Sequence, residues 1–372
     1  MPKTKKARKV AVAMSGGVDS SVAAAMMVEQ GFEVIGLTMQ LYDSGRVTAS
    51  GSKTCCAGQD IYDAKRVSDK LGIKHYTLDY EKRFLDNVIK DFADSYANGI
   101  TPIPCIRCNQ KMKFRDLLNT SLDLGADFLV TGHYASIKGK DDDIALYRAK
   151  DISRDQSYFL FATPHEVLKN ISFPLGDLTK KETRDYAKKM NLAISDKPES
   201  QDICFVQSTA KRGYREIVQK LRPDVKKSGD IIHVNGKIMG KHDGLDSFTV
   251  GQRRGLGVIS SDGTPLYVTK IDSEENNIYV GSQNDMAIRK FNISELVWLD
   301  KKNQNIDRIK EIDVQLSSEH ITQKASISLQ EFNQASISLN EPNYRVAPGQ
   351  ACVVYDNDRV LGGGWISGEL SL

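Results

Sequence analysis

The chain has 372 residues, too many for one ordinary core, so two or three domains are expected. With 27% charged and 40% hydrophobic residues, and no apolar run near the ~20 residues of a membrane span, the composition is that of a soluble globular protein with no membrane partner. The net charge of +3 excludes a uniformly basic nucleic-acid coat, yet Lys180 to Arg254 carry 17 Lys+Arg against 10 Asp+Glu, a local +7 that fits either a polyanion partner or a solvated face.

In chain order, a basic start (Lys3, Lys5, Lys6, Arg8, Lys9) precedes the apolar run Val10–Met14. That run is short and leads into a glycine turn, so it reads as a buried strand and not as a signal peptide; the default compartment is the cytoplasm. Ser15-Gly16-Gly17-Val18-Asp19-Ser20 follows, and then a helical pattern over Ser20–Gln30. Adjacent glycines expose their N–H groups, and with the Ser15 and Ser20 hydroxyls and the positive helix end they form an anion cradle suited to a phosphate chain. The plain alternative is a tight turn whose Ser or Asp caps the helix. No Gly-Lys-Ser/Thr follows, which excludes a Walker A loop, and the glycine spacing is wrong for the dinucleotide GxGxxG.

Further strands are predicted at Val34–Met39, Lys74–Leu78 and Phe128–Thr131, with helices at Gln59–Leu71, Phe84–Asn98, Asn109–Leu124 and Lys180–Met190. Short buried strands alternating with helices predict a doubly wound parallel α/β sheet, with ligands beyond the carboxyl ends of its strands. Met39 and Gly132-His133 fall at that edge, although Met39 could equally be a core side chain. After Cys204 one helix is expected near Gly213–Leu221, and short strands with glycine turns take over from Asp230. Ala325-Ser326-Ile327-Ser328-Leu329 recurs as Ala335-Ser336-Ile337-Ser338-Leu339, which predicts a hairpin with one apolar face. Ala351–Asp356 and Val360–Ile366 read as a last hairpin closing a small barrel. The expected domains are an α/β nucleotide-binding domain over 1–207, a small central α+β domain over 208–283 and a C-terminal β-barrel over 284–372.

Six cysteines, Cys55, Cys56, Cys105, Cys108, Cys204 and Cys352, do not space as a secreted disulfide scaffold. Cys108 follows two prolines, Pro102 and Pro104, and opens the next helix pattern ahead of Lys111, Lys113 and Arg115. A helix N-terminus and nearby cations favour thiolate, so Cys108 is a candidate sulfur nucleophile. Cys204 lies at the seam between the α/β half and the β half. Cys105-x-x-Cys108 also admits a local disulfide or, with Cys55-Cys56, a four-thiolate zinc site. Cys352 alternates with apolar neighbours and reads as core.

Ser15–Ser20 resembles the signature of the PP-loop ATP pyrophosphatases. Taken with Gly36-Leu37-Thr38-Met39, Thr101-Pro102 and Cys108-Asn109, Thr131-Gly132-His133-Tyr134 and Arg154–Leu160, the chain resembles the tRNA-specific 2-thiouridylase family. Asp202-Ile203-Cys204-Phe205, Thr249–Gly257, Pro348-Gly349-Gln350 and Leu361–Gly364 extend that resemblance over nearly the whole length. The resemblance implies ATP-dependent replacement of the C2 oxygen of the wobble uridine, position 34, by sulfur in tRNAs for Lys, Glu and Gln. It implies adenylation of that oxygen, attack by a persulfide carried on Cys204, and Cys108 as the partner thiol that can leave a Cys108–Cys204 disulfide. It assigns ATP to Ala13, Met14, Ser15, Gly16, Gly17, Val18, Asp19, Ser20, Met39 and Gly132, with Mg2+ on the phosphates and Asp19 helping to hold it. It assigns tRNA contacts to Ile103, Pro104, Cys105, His133, Arg154, Asp155, Gln156 and Gln350, with no resident metal site, and a sulfur-carrier protein or cysteine desulfurase as donor. Arg253 and Arg254 between glycines suit phosphate-backbone contact.

Two departures stand out. Many family members carry Asp where this chain has Cys105 and Asn where it has Ile103, and a cysteine does not take over a carboxylate's acid–base role. The segment matching a basic tRNA-contacting loop reads Ser317-Ser318-Glu319-His320, so phosphate contact there is expected to be weaker. The rival readings are a PP-loop enzyme with a nitrogen nucleophile, such as an amidotransferase-type or lysidine synthetase, and a zinc-bound RNA-binding module without catalysis.

Overall fold

The computed structural model describes residues 8–42, 56–199, 203–206, 213–260, 262–300, 308–330 and 333–371. It divides into two compact units: residues 1–87, 105–205 and 358–360 form the first, and 88–104, 206–357 and 361–372 the second.

The first unit is built on β1 (Lys9–Ala13), β2 (Glu33–Gln40), β3 (Lys74–Asp79), β4 (Phe128–Val130) and a two-residue strand that follows a small hairpin. The hairpin is β5 (Ser136–Lys138) and β6 (Ala145–Tyr147); the two-residue strand is β7 (Ile171–Ser172). The parallel sheet runs β3-β2-β1-β4-β7. Val10, Ala11 and Val12 of β1 are completely buried, as a central strand covered on both faces must be, which is why its sequence is an unbroken apolar run. β1 pairs with β2 on one side (Val10↔Val34) and β4 on the other (Val10↔Phe128). The strand order therefore reverses at β1, and the turns leaving β1 and β4 share the switch point where α/β folds open a binding crevice.

Helices α1 (Val18–Glu29), α2 (Cys56–Leu71), α3 (Leu118–Asp123) and α4 (Lys180–Lys189) accompany the sheet. Val22, Ala23 and Ala24 of α1 pack into the core with Val10, Val12, Val67 and Val130. The predicted strands and helices are present within a few residues. The helix expected from Asn109 differs: a turn at Pro104–Arg107 precedes it, and Cys108–Leu117 is wound as a π-helix before α3. β5, β6 and β7 were not predicted, because two or three residues are too short for a period-2 signal.

The second unit holds α5 (Gly213–Leu221), which packs on the helix Lys90–Ala97 through stacked Tyr96 and Tyr214 rings 5.0 Å apart. Strands β8 (Gly229–His233), β9 (Ile238–His242), β10 (Tyr267–Asp272) and β11 (Asn277–Gly281) form a sheet ordered β10-β11-β8-β9. The β8–β9 hairpin turns at Asn235-Gly236, where Gly236 has φ +90°. Strands β12 (Ile288–Trp298), β13 (Arg308–Gln315), β14 (Thr322–Gln330), β15 (Gln334–Asn343), β16 (Ala351–Asp356) and β17 (Arg359–Ser371) form a six-stranded barrel closed by β12 against β17. Closure leaves no unpaired edge in the ring. The repeated segments are the hairpin β14–β15, with Ile327 opposite Ile337 and both fully buried. Cys352 packs in the barrel core with Phe291, Ile312 and Val354.

Candidate active site

The turn after β1 opens α1 without a side-chain cap. Asp19 is not the capping residue: it sits inside the first turn, and Gly17 occupies the cap position. The leading N–H groups of α1 therefore have no intrahelical acceptor, which is the condition for an anion site. Gly16 has φ +73°, and a Cβ there would lie 2.2 Å from the Asp60 carbonyl oxygen; neither the conformation nor the space admits another residue. The Ser20 hydroxyl accepts from Ser15 N–H at 3.1 Å and lies 3.3 Å from the Ser15 hydroxyl, so both serines are turned toward each other across the loop. Lys197 donates to the Gly16 carbonyl (3.0 Å), Asp60 (2.7 Å) and Asp63 (2.7 Å), strapping the outer side of the turn.

Gly132, after β4, meets the same turn. A Cβ on it would lie 2.6 Å from Ser20 N and 2.8 Å from the Asp19 carbonyl carbon. The two turns at the switch point touch backbone to backbone, and only glycine permits it. Met39 is half-buried near the carboxyl end of β2. Met14 and Val18 are buried, and Met14 N–H is bonded to Leu37 O, so these residues shape the loop from below. Uncapped N–H groups, paired hydroxyls and a glycine cradle fit a phosphate chain.

Asp19 is the loop's only carboxylate, and it is already engaged. Lys180 Nζ lies 2.8 and 2.9 Å from its two oxygens, and Tyr134 OH donates to it at 3.0 Å. While Lys180 holds both of its oxygens, Asp19 is not open to Mg2+. Among the described residues no group of three His, Cys, Asp or Glu could hold a metal ion; Cys55 and the Cys56 side chain lie outside those residues.

Cys105, Cys108 and Cys204 belong to the first unit as free thiols, Cys108 buried and the other two reaching solvent. They are near enough to repel one another as thiolates. Loss of hydration pushes the Cys204 thiol up to about 12, and the neighbouring Cys108 and Cys105 push the same way. Burial likewise raises Cys105 and Cys108. This corrects the expectation that a helix N-terminus and cations would favour a Cys108 thiolate: desolvation outweighs them, because Cys108 lies one turn inside the helical run. Of the three cations that follow it, Lys113 is the one that opposes the rise at all three thiols. Cys204 is tied in place on either side: its carbonyl accepts from Tyr42 OH at 2.7 Å, and Phe205 packs edge-on against Phe84.

His133 joins the two halves of the site. Its neighbour Gly132 touches the phosphate loop, and its Nε2 lies 3.4 Å from Lys113 Nζ. Burial, then Lys113, hold its pKa well below the ordinary histidine value, so the ring is neutral. An ammonium only donates, so Nε2 is the acceptor and Nδ1 carries the proton, 2.7 Å from Thr131 Oγ1. Lys113 also donates to Asn109 Oδ1 at 2.9 Å.

The residues expected to touch RNA separate. Arg154 is 43% exposed and bonded to Glu199. Gln156 accepts from Tyr134 N–H and is partly covered. Asp155 is a correction: it is 1% exposed and carries four partners, Arg148 (3.1 Å), Ala149 N–H (2.9 Å), Ser157 N–H (3.2 Å) and Ser157 Oγ (2.7 Å). Its carboxylate organises the turn. In the second unit Gln350 donates to Thr101 O at 2.8 Å, beside Ile103 and Pro104. Arg253 and Arg254 stand exposed in a loop whose Gly251, Gly255 and Gly257 all have positive φ. Glu319 is paired with Arg345, which spends a charge in a loop already poor in cations. Lys180, Lys197 and Glu199 were given no role from the sequence, and Tyr134 entered only as part of the Thr131–Tyr134 motif.

Comparison with known proteins adds a second line. The model described as the tRNA methyl transferase HUP domain matches residues 8–208, the PRC-barrel domain of the same series residues 216–282, and an aminomethyltransferase beta-barrel domain residues 288–366. The chain is 49% identical over 359 residues to the tRNA-specific 2-thiouridylase MnmA of Rickettsia bellii, covering 96% of each. It is 49% identical over 364 residues to the tRNA-specific 2-thiouridylase MnmA of Rhodospirillum centenum, covering 96% of this chain and 91% of the relative.

Proposed function

The chain belongs to the tRNA-specific 2-thiouridylase family, and from that premise we propose that it is an ATP-dependent tRNA-uridine 2-sulfurtransferase acting on the wobble uridine of tRNAs for Lys, Glu and Gln. The observation that carries the reading is the gathering of Cys105, Cys108 and Cys204 around Lys113, one residue contact from the turn that meets the phosphate loop. A sulfur nucleophile and a nucleotide site are what C2 thiolation needs together. The two-thiol arrangement also favours it over a synthetase with a nitrogen nucleophile.

A uracil carbonyl oxygen is a poor leaving group; ATP supplies the adenylyl group that lets it depart with AMP, and pyrophosphate is released. The sulfur donor, a cysteine desulfurase or sulfur-carrier protein, leaves a persulfide on Cys204. Its terminal sulfur attacks C2 as AMP leaves. Cys108 then attacks Cys204 Sγ as thiolate, the bond between Cys204 and the delivered sulfur breaks, and its electron pair stays on that sulfur as the new thiocarbonyl. The product is a Cys108–Cys204 disulfide, which a thiol reductant resets. Thiolate is the reactive form, and Lys113 is placed to stabilise it against the dry surroundings. Mg2+, arriving with the nucleotide, would supply screening of the phosphate charge. The target base must leave its stack to reach the thiols, and the exposed Arg253 and Arg254 suit the RNA backbone. The domains of this reading are 1–207 for nucleotide and thiol chemistry, 208–283 and 284–372 for the RNA.

The test is transfer of labelled sulfur to tRNA, with the modified nucleoside identified by mass spectrometry. Sulfur at C2 of uridine 34 is expected, lost in Cys204→Ser and Cys108→Ser and retained in Cys105→Asp. Incorporation that persists in Cys204→Ser overturns the mechanism; ATP cleavage with no thiolated pyrimidine overturns the function.

A further inference from the structure

The phosphate loop has no cation of its own: Met14 to Ser21 contain no Lys or Arg. Backbone N–H groups alone leave most of a polyphosphate's charge uncompensated, and phosphate loops that bind tightly recruit a lysine. We propose that Lys180 is that cation, a residue for the β- and γ-phosphates delivered from 161 positions away. The inference deepens the reading above and rests on its ATP site.

Three observations support it. Lys180 is the first residue of α4, and its position is set rigidly. Thr179 and Glu182 form a reciprocal capping box, and Lys180 N–H is bonded to Asp151 at 3.0 Å. Its ammonium reaches the loop, 2.8 Å from Asp19 Oδ1, 3.1 Å from Glu199 Oε1 and over the Tyr134 ring, with the side chain 12% exposed. Its partners can release it. Glu199 also pairs with Arg154 (2.6 Å) and Arg184 (3.5 Å), and Asp19 keeps the Tyr134 hydroxyl. A phosphate oxygen would replace carboxylate oxygens of the same chemistry, so neither acid is stranded by the exchange.

Lys197, the other lysine at the loop among the described residues, does not qualify. One of its three acceptors is the Gly16 carbonyl, so it braces the turn itself. The carboxylates on Lys180 hold the ammonium in place before nucleotide arrives, which lowers the ordering cost of binding.

Binding of AMP and of α,β-methylene-ATP, which resists cleavage at the α-phosphate, is measured by calorimetry on full-length wild type, Lys180→Met and Lys180→Arg, without tRNA. A charged hydrogen bond to phosphate predicts about 10- to 100-fold weaker analogue binding in Lys180→Met, AMP unchanged, and substantial recovery in Lys180→Arg. Independently of any variant, the analogue should protect Lys180 of the wild type from amine acylation, and AMP should not. Equal analogue affinity in wild type and Lys180→Met, parallel loss of AMP and analogue, or acylation of Lys180 undiminished by bound analogue overturns the proposal. A wild type that binds neither nucleotide overturns the ATP reading beneath it.

Discussion

Replacing Asp155 by Ala tests whether this carboxylate faces RNA or holds the fold. Its side chain is 0% exposed, and that of Arg148 is 7% exposed. The substitution deletes one ion pair and the bonds that Ala149 N–H, Ser157 N–H and the Ser157 hydroxyl make to this carboxylate. Removing one partner of a buried pair costs about 3–5 kcal/mol. For a folding unit of this size, at about 2–4 °C per kcal/mol, the melting temperature should fall by about 6–20 °C. Scanning calorimetry reads it. Arg148→Met combined with Asp155→Leu should recover part of the loss, since apolar side chains in both places leave no half of the pair to bury. The matching RNA measurement is filter binding of tRNA at a temperature where both proteins are folded, and there Asp155→Ala should bind as the parent does. An Asp155→Ala protein that melts like the parent and loses tRNA affinity would refute the reasoning.

Gly132→Ala forces a methyl against Ser20 N and the Asp19 backbone, neither of which is a flexible side-chain end. Overpacking of this kind costs about 1–3 kcal/mol, and displacement of the first turn of α1 should weaken α,β-methylene-ATP and AMP together; unchanged affinity in calorimetry contradicts the contact. Cys204 should be slow to alkylate at neutral pH, its iodoacetamide rate in peptide mass spectrometry rising about tenfold per pH unit while the thiol stays below its raised pKa. The sign follows from the folded state holding this proton more tightly than the unfolded chain does. The associated stability is fully present below the ordinary thiol range and is lost as pH climbs through that range toward about 12. A Cys204 rate that levels off below pH 9 would show an activated thiolate instead. Lys113→Met should slow the same labelling, because the one cation opposing all three thiols is gone.

What the residue order determined by itself is local and chemical. The unbroken Val10–Met14 run, the paired glycines and the helix that follows define a buried strand feeding an anion turn, because backbone freedom and hydrophobic period act over a few residues. The alternating Ile and Ser positions of β14 and β15 declare a hairpin for the same reason. Place along the chain, with the family resemblance, also marked Cys108 and Cys204 as candidates for sulfur chemistry. The tertiary structure decided which groups meet. Gly132 is needed as glycine because β4 lies beside β1, a consequence of strand order. Lys180, Tyr134 and Lys197 reach the phosphate loop across 161, 115 and 181 residues. Asp155, which the resemblance assigns to the RNA, is enclosed by packing with Arg148. Cys108 reads as activated by its helix until its burial shows that loss of hydration outweighs the nearby charge. Partners and hydration are properties of the packed chain, and no window of the sequence contains them.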